Sequence, residues 1–421
     1  MYKKTELPNG VRIVTECMPH VHSVSIGIWI TTGSRDENVQ EKGLSHFIEH
    51  MLFKGTKKRT YLDIARDIEK VGGILNAFTT REYTSIYAKV LDKNFPTSYE
   101  ILSDIFLNSV FNKDEIAKEK MVVLQEIYSS EDTPEEYIQD LFYTNYFKKH
   151  PLGYPIIGSK NSLKGFNSNK IKKFFQKNFL EPSKIIVTAA GNLSHEEVSG
   201  YFEKTFGSLK PKNVNSEEMI LSISEPIFSV YPKKLEQVHI FFGSVGISAL
   251  SPKRYSCYLL NTITGGSMSS RLFQEIREIR GLAYSIFSFH QAYRDTGIFS
   301  TCVSTSPNKA KEVLKVIMEE YQKLILEPIK EHELLQAKEQ LKGNLLLSFE
   351  STDGQMTKLA KGEIFFKKYF SIDDIMDGIN RVTLEDVHML AQELFDKKKQ
   401  NLIILGDLED ELYPFWKELI T

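Results

Sequence analysis

The sequence predicts a mixed α+β protein made of two similar halves, and three observations support that class. The chain has 421 residues, more than one hydrophobic core of ordinary size holds. A similar succession of apolar strands and amphipathic helices occurs twice, at an offset of about 210 residues. A polar stretch of little periodicity, 210–225, separates the two. We therefore predict an N-terminal α+β domain over residues 1–212, a linker over 213–224 and a C-terminal α+β domain over 225–421.

In the first half, apolar residues alternate with polar ones in the predicted strands and recur every three to four residues in the predicted helices. Gly72 and Gly73 end one predicted helix, and Ser194 with Glu197 forms an S-x-x-E pattern that is typical of a helix start. The predicted strands are 11–14, 24–30, 74–79, 84–91 and 184–190. Besides the helix that follows the second strand, the predicted helices are 60–71, 94–110, 113–130, 133–149, 168–179 and one that begins at Ser194.

The second half repeats this order. A strand is predicted at 238–245, and Gly281 precedes a hairpin as Gly73 does in the first half. The remaining predicted elements are helices at 253–263, 270–279 and 310–325 and a strand at 401–406. The correspondence indicates a duplication, so we expect the two halves to share one architecture.

The composition excludes several classes of function. Fifty-three basic residues balance 55 acidic ones, and no polybasic run occurs, so nucleic acid and anionic membranes are not expected partners. The longest apolar runs are too short to span a membrane. The first residues contain no signal-peptide pattern, so we expect a cytoplasmic protein. The three scattered cysteines, Cys17, Cys257 and Cys302, indicate neither a metal cluster nor a disulfide framework.

The motif that carries chemistry is H-x-x-E-H at residues 46–50. On a helix His46 and His50 lie one turn apart on the same face and can bind one ion, while Glu49 borders that face within reach of a water. The alternative is a buried amphipathic helix whose histidines are structural. The apolar neighbours of these residues favour the metal, because buried imidazoles and a carboxylate need partners. The second half has Tyr-Leu-Leu-Asn-Thr at 258–262 instead, so a metal site would belong to the first half alone.

Four longer motifs give the chain a resemblance to a known family. They are GLSHFIEHMLFKG at 43–55, GGILNAFT at 72–79, EKMVVLQEI at 119–127 and REIRGLAYS at 277–285. The chain resembles the M16 metallopeptidases, which include pitrilysin, insulin-degrading enzyme, the mitochondrial processing peptidase and single-unit bacterial relatives. Its length is similar to that of the processing-peptidase branch. The resemblance implies the LuxS/MPP-like metallohydrolase fold, in which each half is a mostly antiparallel sheet packed with helices.

For the metal site, the resemblance implies one Zn²⁺ per chain, bound by His46, His50 and Glu126. Glu49 is then the general base, and Glu119 lies behind the metal ligands and supports them. Glu119 and Glu126 are seven residues apart on one helix face, and their spacing alone favours a solvated surface.

For the substrate, the resemblance implies an exposed strand edge at Asn76, Ala77, Phe78 and Thr79 that pairs with the peptide backbone. It also implies that Arg277 and Tyr284 touch the substrate near the scissile carbonyl, and that Gly265 and Gly266 belong to a loop that handles substrate. Taken individually, Arg277 could be a surface ion-pairing residue, Tyr284 a packed core tyrosine and the glycines an ordinary loop.

These inferences predict a zinc endopeptidase that cleaves unstructured peptides or leader segments of proteins. Because one chain carries both the metal motif and the Arg277–Tyr284 pair, we expect a homodimer that encloses a chamber, with each active site completed in trans. Two alternatives remain open at this point. One is a non-catalytic structural or chaperone-like subunit, and the other is one subunit of a heterodimer.

Overall fold

The structure, a computed structural model, describes residues 1–212, 226–407 and 414–415, so the predicted linker at 213–224 lies outside the described residues. The chain forms two compact units. Of the described residues, unit 1 contains 1–129, 149–212 and 347–369, and unit 2 contains 130–148, 226–346, 370–407 and 414–415. Each unit has its own sheet, its own helices and its own hydrophobic core.

Two sheets organise the units. Their strands are β1 (Tyr2–Glu6), β2 (Arg12–Cys17), β3 (Ser23–Ile30), β4 (Ile74–Thr79), β5 (Thr84–Leu91), β6 (Ile185–Gly191), β7 (Phe228–Pro232), β8 (Val238–Gly246), β9 (Ala283–Ala292), β10 (Gly297–Thr305) and β11 (Asn401–Gly406). Unit 1 has the order β1-β2-β6-β3-β5-β4, and unit 2 has β7-β11-β8-β10-β9. The pairs β2–β6 and β7–β11 are parallel, and the other pairs are antiparallel.

The α-helices are α1 (Leu44–Leu52), α2 (Tyr61–Lys70), α3 (Phe95–Asn108), α4 (Lys113–Asp132), α5 (Pro134–Tyr146), α6 (Lys160–Lys164), α7 (Ser168–Phe174), α8 (His195–Phe206), α9 (Arg254–Thr264), α10 (Ala310–Leu326), α11 (Glu331–Phe349), α12 (Thr352–Lys361), α13 (Ile372–Asn380) and α14 (Leu384–Leu394). None of the helices in the described ranges combines the length and the apolar character that a bilayer crossing requires.

Five strands of the first sheet match the five strands of the second, and β1 is additional, which confirms the predicted fold class of two similar α+β halves. From the parallel pair outward, β2, β6, β3, β5 and β4 correspond in order to β7, β11, β8, β10 and β9. The predicted hairpin at 74–79 and 84–91 and the strand at 401–406 have the expected bounds. Two strands, β1 and β7, the short helix α6 and the helices from α11 to α14 were not predicted.

The units are not the two continuous halves that the sequence suggested. Residues 130–148 of the first half belong to unit 2, and residues 347–369 of the second half belong to unit 1. The reason is that each sheet has two faces to cover. In unit 2, α5 packs on β8 and β11; in unit 1, α12 packs on β2, β3 and β6. There Met356 and Ala360 of α12 join a cluster around the fully buried Trp29.

Candidate metal centre

The H-x-x-E-H motif lies on α1, and Glu126, the predicted third ligand, lies on α4. The other side of α1 buries Phe47, Ile48 and Met51 in the core of unit 1, which fixes the rotation of the helix. His46 and His50 have ring centroids 4.6 Å apart. Glu126 Oε2 lies 3.9 Å from His46 Nε2 and 3.5 Å from His50 Nε2. The predicted histidine pair and the predicted third ligand therefore converge in space.

The chemistry of this donor set fits a zinc ion. One potential ligand atom from each of the three residues lies within 4.8 Å of the other two. Two ligands about 2.05 Å from a tetrahedral zinc are separated by roughly 3.3 Å, so the separations here are near what one ion requires. Glu126 Oε2 is buried and has no hydrogen-bond partner among the described residues, although a buried carboxylate oxygen normally has one. A cation between the three atoms would satisfy it.

Glu119 supports His50 from behind. Its carboxylate accepts a 2.8 Å hydrogen bond from His50 Nδ1 and lies 2.7 Å from Lys54 Nζ. Burial by itself would raise the pKa of Glu119, but the hydrogen bonds of His50 and Lys54 lower it. An ionised carboxylate can only accept, so Nδ1 of His50 carries a proton, and Nε2, which faces Glu126, is the nitrogen that would bind a metal. The alternative that Glu119 is part of a solvated surface does not fit, because its side chain is buried.

The carboxylate of Glu49 accepts a hydrogen bond from a residue outside α1. Thr79 Oγ1, at the end of β4, donates a 2.6 Å hydrogen bond to Glu49 Oε2. Burial raises the pKa of Glu49, and the hydrogen bond from Thr79 opposes part of that rise. Burial, together with the neighbouring His50, lowers the pKa of His46 to about 3. His46 is therefore neutral at pH 7, the form that binds metal.

The predicted substrate strand lies at a sheet edge. β4 is the last strand in its sheet, so one side pairs with β5 and the other has no strand partner among the described residues. Phe78 packs edge-on against Trp29 and so serves the core of unit 1. Any pairing of Ala77 and its neighbours with a peptide would thus use their backbone atoms. The pairing itself stays a prediction.

In unit 2, Arg277 and Tyr284 lie against each other. The Arg277 guanidinium carbon is 4.5 Å from the centroid of the Tyr284 ring and 4.8 Å from that of Phe273. Tyr284, near the start of the edge strand β9, is 77% exposed and is not a core tyrosine. Arg277 also lies 3.4 Å from Glu278 Oε1, as the surface interpretation expected. Their role with substrate stays a prediction.

The two glycines after α9 have a structural explanation. The amides of Gly265 and Gly266 both donate to the Asn261 carbonyl, and Ser288 N donates to the Gly265 carbonyl at 3.0 Å. A Cβ at Gly265 would lie 2.8 Å from Ser288 N, so a side chain does not fit there. Close packing of the turn against β9 accounts for these glycines, and a role in handling substrate stays a prediction.

Sequence reasoning missed three contacts of this site. It did not predict that Thr79 hydrogen-bonds Glu49, that Lys54 pairs with Glu119, or that Glu37 accepts from the first amides of α1. Lys54 lies four residues after His50, and that spacing was the available signal. Thr79 and Glu49 are 30 residues apart, and Glu37 lies six residues before Gly43, outside the usual cap position.

The chain is similar to known proteins along most of its length. The model of the family Insulinase (Peptidase family M16) matches residues 12–160, and that of Peptidase M16 inactive domain matches residues 165–341. The uncharacterized zinc protease YmxG of Bacillus subtilis is 39% identical over 94% of this chain and 96% of its own length. An uncharacterized zinc protease of Rickettsia felis is 37% identical over 95% of this chain and 96% of its own length.

Solved structures share the fold at lower identity. A protease from Helicobacter pylori superposes with a TM-score of 0.90 at 21% identity, covering 96% of this chain and 99% of its own. A peptidase M16 inactive domain from Pseudomonas fluorescens superposes with a TM-score of 0.87 at 18% identity, covering 97% of this chain and 98% of its own.

Proposed function

Because the chain belongs to peptidase family M16, we propose that it is a zinc-dependent endopeptidase of unstructured peptides or of leader segments of proteins. One observation carries the proposal. His46, His50 and Glu126 bring three potential ligand atoms within 4.8 Å of one another, and the partly buried carboxylate of Glu49 lies on the same helix as the histidines. That combination is what hydrolysis of a peptide bond by an activated water requires.

The residues around the metal divide the chemistry between them. His46, His50 and Glu126 would hold the zinc ion, which would lower the pKa of a water molecule and polarise the scissile carbonyl. Glu49 takes the proton from the attacking water and delivers it to the leaving amine. The raised pKa of Glu49 suits this exchange, because a carboxyl of ordinary pKa would hold the proton too weakly near pH 7. Thr79 holds one oxygen of Glu49, which leaves the other free for the water.

The substrate binds as an added strand in this proposal. The free edge of β4 offers main-chain donors and acceptors to an extended peptide, which demands little of the peptide's sequence. A folded protein does not present an extended backbone of this kind. The enzyme therefore prefers unstructured segments.

The remaining groups come from unit 2. The Tyr284 hydroxyl donates a hydrogen bond to the oxyanion of the tetrahedral intermediate, and the planar guanidinium of Arg277 donates hydrogen bonds to substrate carbonyls. We place them in the site of a second copy, so that a homodimer encloses a chamber with two active sites completed in trans. Support for this arrangement is that one chain carries both sets of groups. The exposure of Tyr284 also leaves its hydroxyl available to substrate.

A mixing experiment tests chemistry and assembly together. One protein carries Glu49→Gln, and the other carries Arg277→Ala with Tyr284→Phe. Each alone is expected to be nearly inactive on a quenched unstructured peptide. Random exchange gives mixed dimers in about half of the population, each with one intact site, so about a quarter of the wild-type activity should return. Mass-tagged copies of the two proteins verify the exchange.

Each outcome has a distinct meaning. No recovery after verified exchange, with an active wild type, would place the site within one chain and refute its completion in trans. Absence of cleavage by the zinc-loaded wild type across varied peptides would favour the non-catalytic, structural or chaperone-like alternative. A wild type that becomes active only with an unlike partner chain would support the heterodimer.

A further inference from the structure

The helix that carries the histidines is capped by a side chain that lies six residues before its N-cap position. α1 begins after Gly43, whose φ is 83° and which has no side chain to satisfy the free amides of the first turn. Glu37 supplies the missing acceptor. Its Oε2 accepts from Gly43 N and its Oε1 from Ser45 N, both at 2.7 Å. One carboxylate thus replaces the cap that the chain lacks at the usual position.

This cap is buried. Glu37 is 2% exposed, and the side chains around the first turn, Leu44 and Ser45, are fully buried. Water cannot replace the carboxylate there, so losing it would leave buried amides unpaired. Burial raises the pKa of Glu37 to about 8, and the hydrogen bonds from the Ser45 and Gly43 amides oppose that rise, because they favour the ionised form, as the positive end of the helix dipole does.

A glycine contact holds the same turn from another side. A Cβ at Gly43 would lie 2.6 Å from Gly158 Cα, and a Cβ at Gly158 would lie 2.5 Å from the Lys42 carbonyl oxygen. Backbone therefore packs directly on backbone at the start of α1. The first turn is held between this contact and the Glu37 carboxylate.

His46 depends on that turn more than His50 does. It is the third residue of α1 and directly follows Ser45, whose amide Glu37 binds. The Nδ1 of His50 is held by Glu119, but the Nδ1 of His46 has no hydrogen-bond partner among the described residues. The position of the His46 imidazole is thus set mainly by its backbone and by packing.

We propose that Glu37 is a positioning residue for the metal centre. By fixing the first turn of α1, it fixes His46 Nε2 relative to His50 and Glu126. This inference deepens the proposed function and rests on the metal centre that the proposed function assumes.

The test compares Glu37→Gln with Glu363→Gln. In Glu37→Gln the new carboxamide keeps the size of the side chain but turns an NH₂ group towards one of the two backbone amides that donate to the carboxylate. Glu363 is the matched control, because it is also 2% exposed and lies in unit 1. It pairs with Lys4 and Arg12 instead of α1.

Three quantities are measured on each protein: zinc affinity by competition with a chelator, the visible spectrum of the Co²⁺ form, and the thermal unfolding midpoint of the metal-free form. Glu37→Gln is expected to weaken zinc binding about tenfold and to change the Co²⁺ spectrum, as loss of a residue that orients a ligand does. Glu363→Gln is expected to lower the unfolding midpoint and to leave metal affinity and spectrum unchanged.

Wild-type zinc affinity and an unchanged spectrum in Glu37→Gln would overturn the proposal, and so would equal losses of affinity in both variants. If Glu37→Gln does not fold, Glu37→Asp is used in its place, because aspartate keeps the carboxylate but is too short to reach both amides. Failure of both variants to fold would show that Glu37 serves folding alone and would overturn the proposal. A wild type that binds zinc but cleaves no peptide would refute the proposed function. The test of Glu37 would still apply, because zinc affinity and the Co²⁺ spectrum do not depend on peptide cleavage.

Discussion

Replacing Glu119 by glutamine should weaken zinc binding while the chain stays folded. In the structure one carboxylate serves two donors, His50 Nδ1 at 2.8 Å and Lys54 Nζ at 2.7 Å. An amide has one acceptor oxygen, so it can keep one donor, and it turns its own N–H groups towards the other. Either His50 loses the partner that orients it or Lys54 loses its counter-charge beside the site.

The expected size follows from comparable metal sites. Loss of a group that orients a ligand histidine lowers metal affinity about 10- to 100-fold, which is about 1.4 to about 2.7 kcal/mol. The lower end applies if His50 keeps the amide oxygen, and the upper end applies if Lys54 keeps it. In both cases the three ligands remain, so binding is weakened and not abolished.

The assay is a competition titration against a chromophoric chelator, with the metal-free unfolding midpoint measured in parallel. Glu115→Gln is the control, since Glu115 lies on the same helix and pairs with the exposed Lys118. It should bind zinc as the wild type does. Wild-type affinity in Glu119→Gln would refute the view that Glu119 orients His50.

Three further predictions follow from single contacts. Thr79→Val removes the hydroxyl that binds Glu49 and should lower kcat about tenfold, with a smaller change in KM, because a hydrogen bond to a charged group is lost. His290, whose pKa burial lowers to about 4, should make folding acid-sensitive: the unfolded chain takes up a proton below about pH 6.5 that the folded chain refuses. Between about pH 8 and about pH 5 this costs roughly 2 kcal/mol of unfolding free energy, measured by urea denaturation, and His290→Gln should lose that component. Gly158→Ala, with φ +80° and a Cβ 2.5 Å from the Lys42 carbonyl oxygen, should destabilise by about 2 kcal/mol or more, seen as a lower thermal midpoint.

Each of these has a matched comparison. Thr79→Ser keeps a hydroxyl and should restore most of the lost kcat; an equal loss in both variants would argue against the hydrogen bond. His332→Gln, at an exposed histidine of α11, should leave the acid sensitivity unchanged, and if it removed as much as His290→Gln the assignment to His290 would be wrong. Gly200→Ala lies in α8, where a Cβ meets nothing within 4 Å, and should be neutral or stabilising. A similar loss of stability in both alanine variants would contradict the steric argument at Gly158.

Local spacing accounts for the accurate part of the sequence analysis. His46, Glu49 and His50 share a helix, and the period of a helix alone puts the two imidazoles on one face. The alternation at 74–79 and 84–91 likewise depends on near neighbours, and this hairpin has its predicted bounds. The offset between the two halves predicted two similar units because duplicated patterns fold into duplicated cores.

The expected division into continuous halves was the main error. Nothing local in 130–148 or 347–369 shows which sheet each segment will cover. The apolar face of an amphipathic helix can be satisfied by either core. Packing decided that α5 joins β8 and β11, and that α12 joins β2, β3 and β6.

The sequence by itself determined that His46, Glu49 and His50 lie together on one helix and that the fold occurs twice, since near-neighbour spacing gives the first and a repeated pattern gives the second. Only the tertiary structure decided which distant groups complete the site. Glu126 converges on the histidines, Thr79 holds Glu49, and Glu37 caps the helix that carries the motif. The contacts of Glu126 and Thr79 join segments far apart in the chain that only the packing of unit 1 brings together. Glu37 lies six residues before Gly43, and the path of the chain between them, which no helix or strand period describes, brings its carboxylate to the helix start.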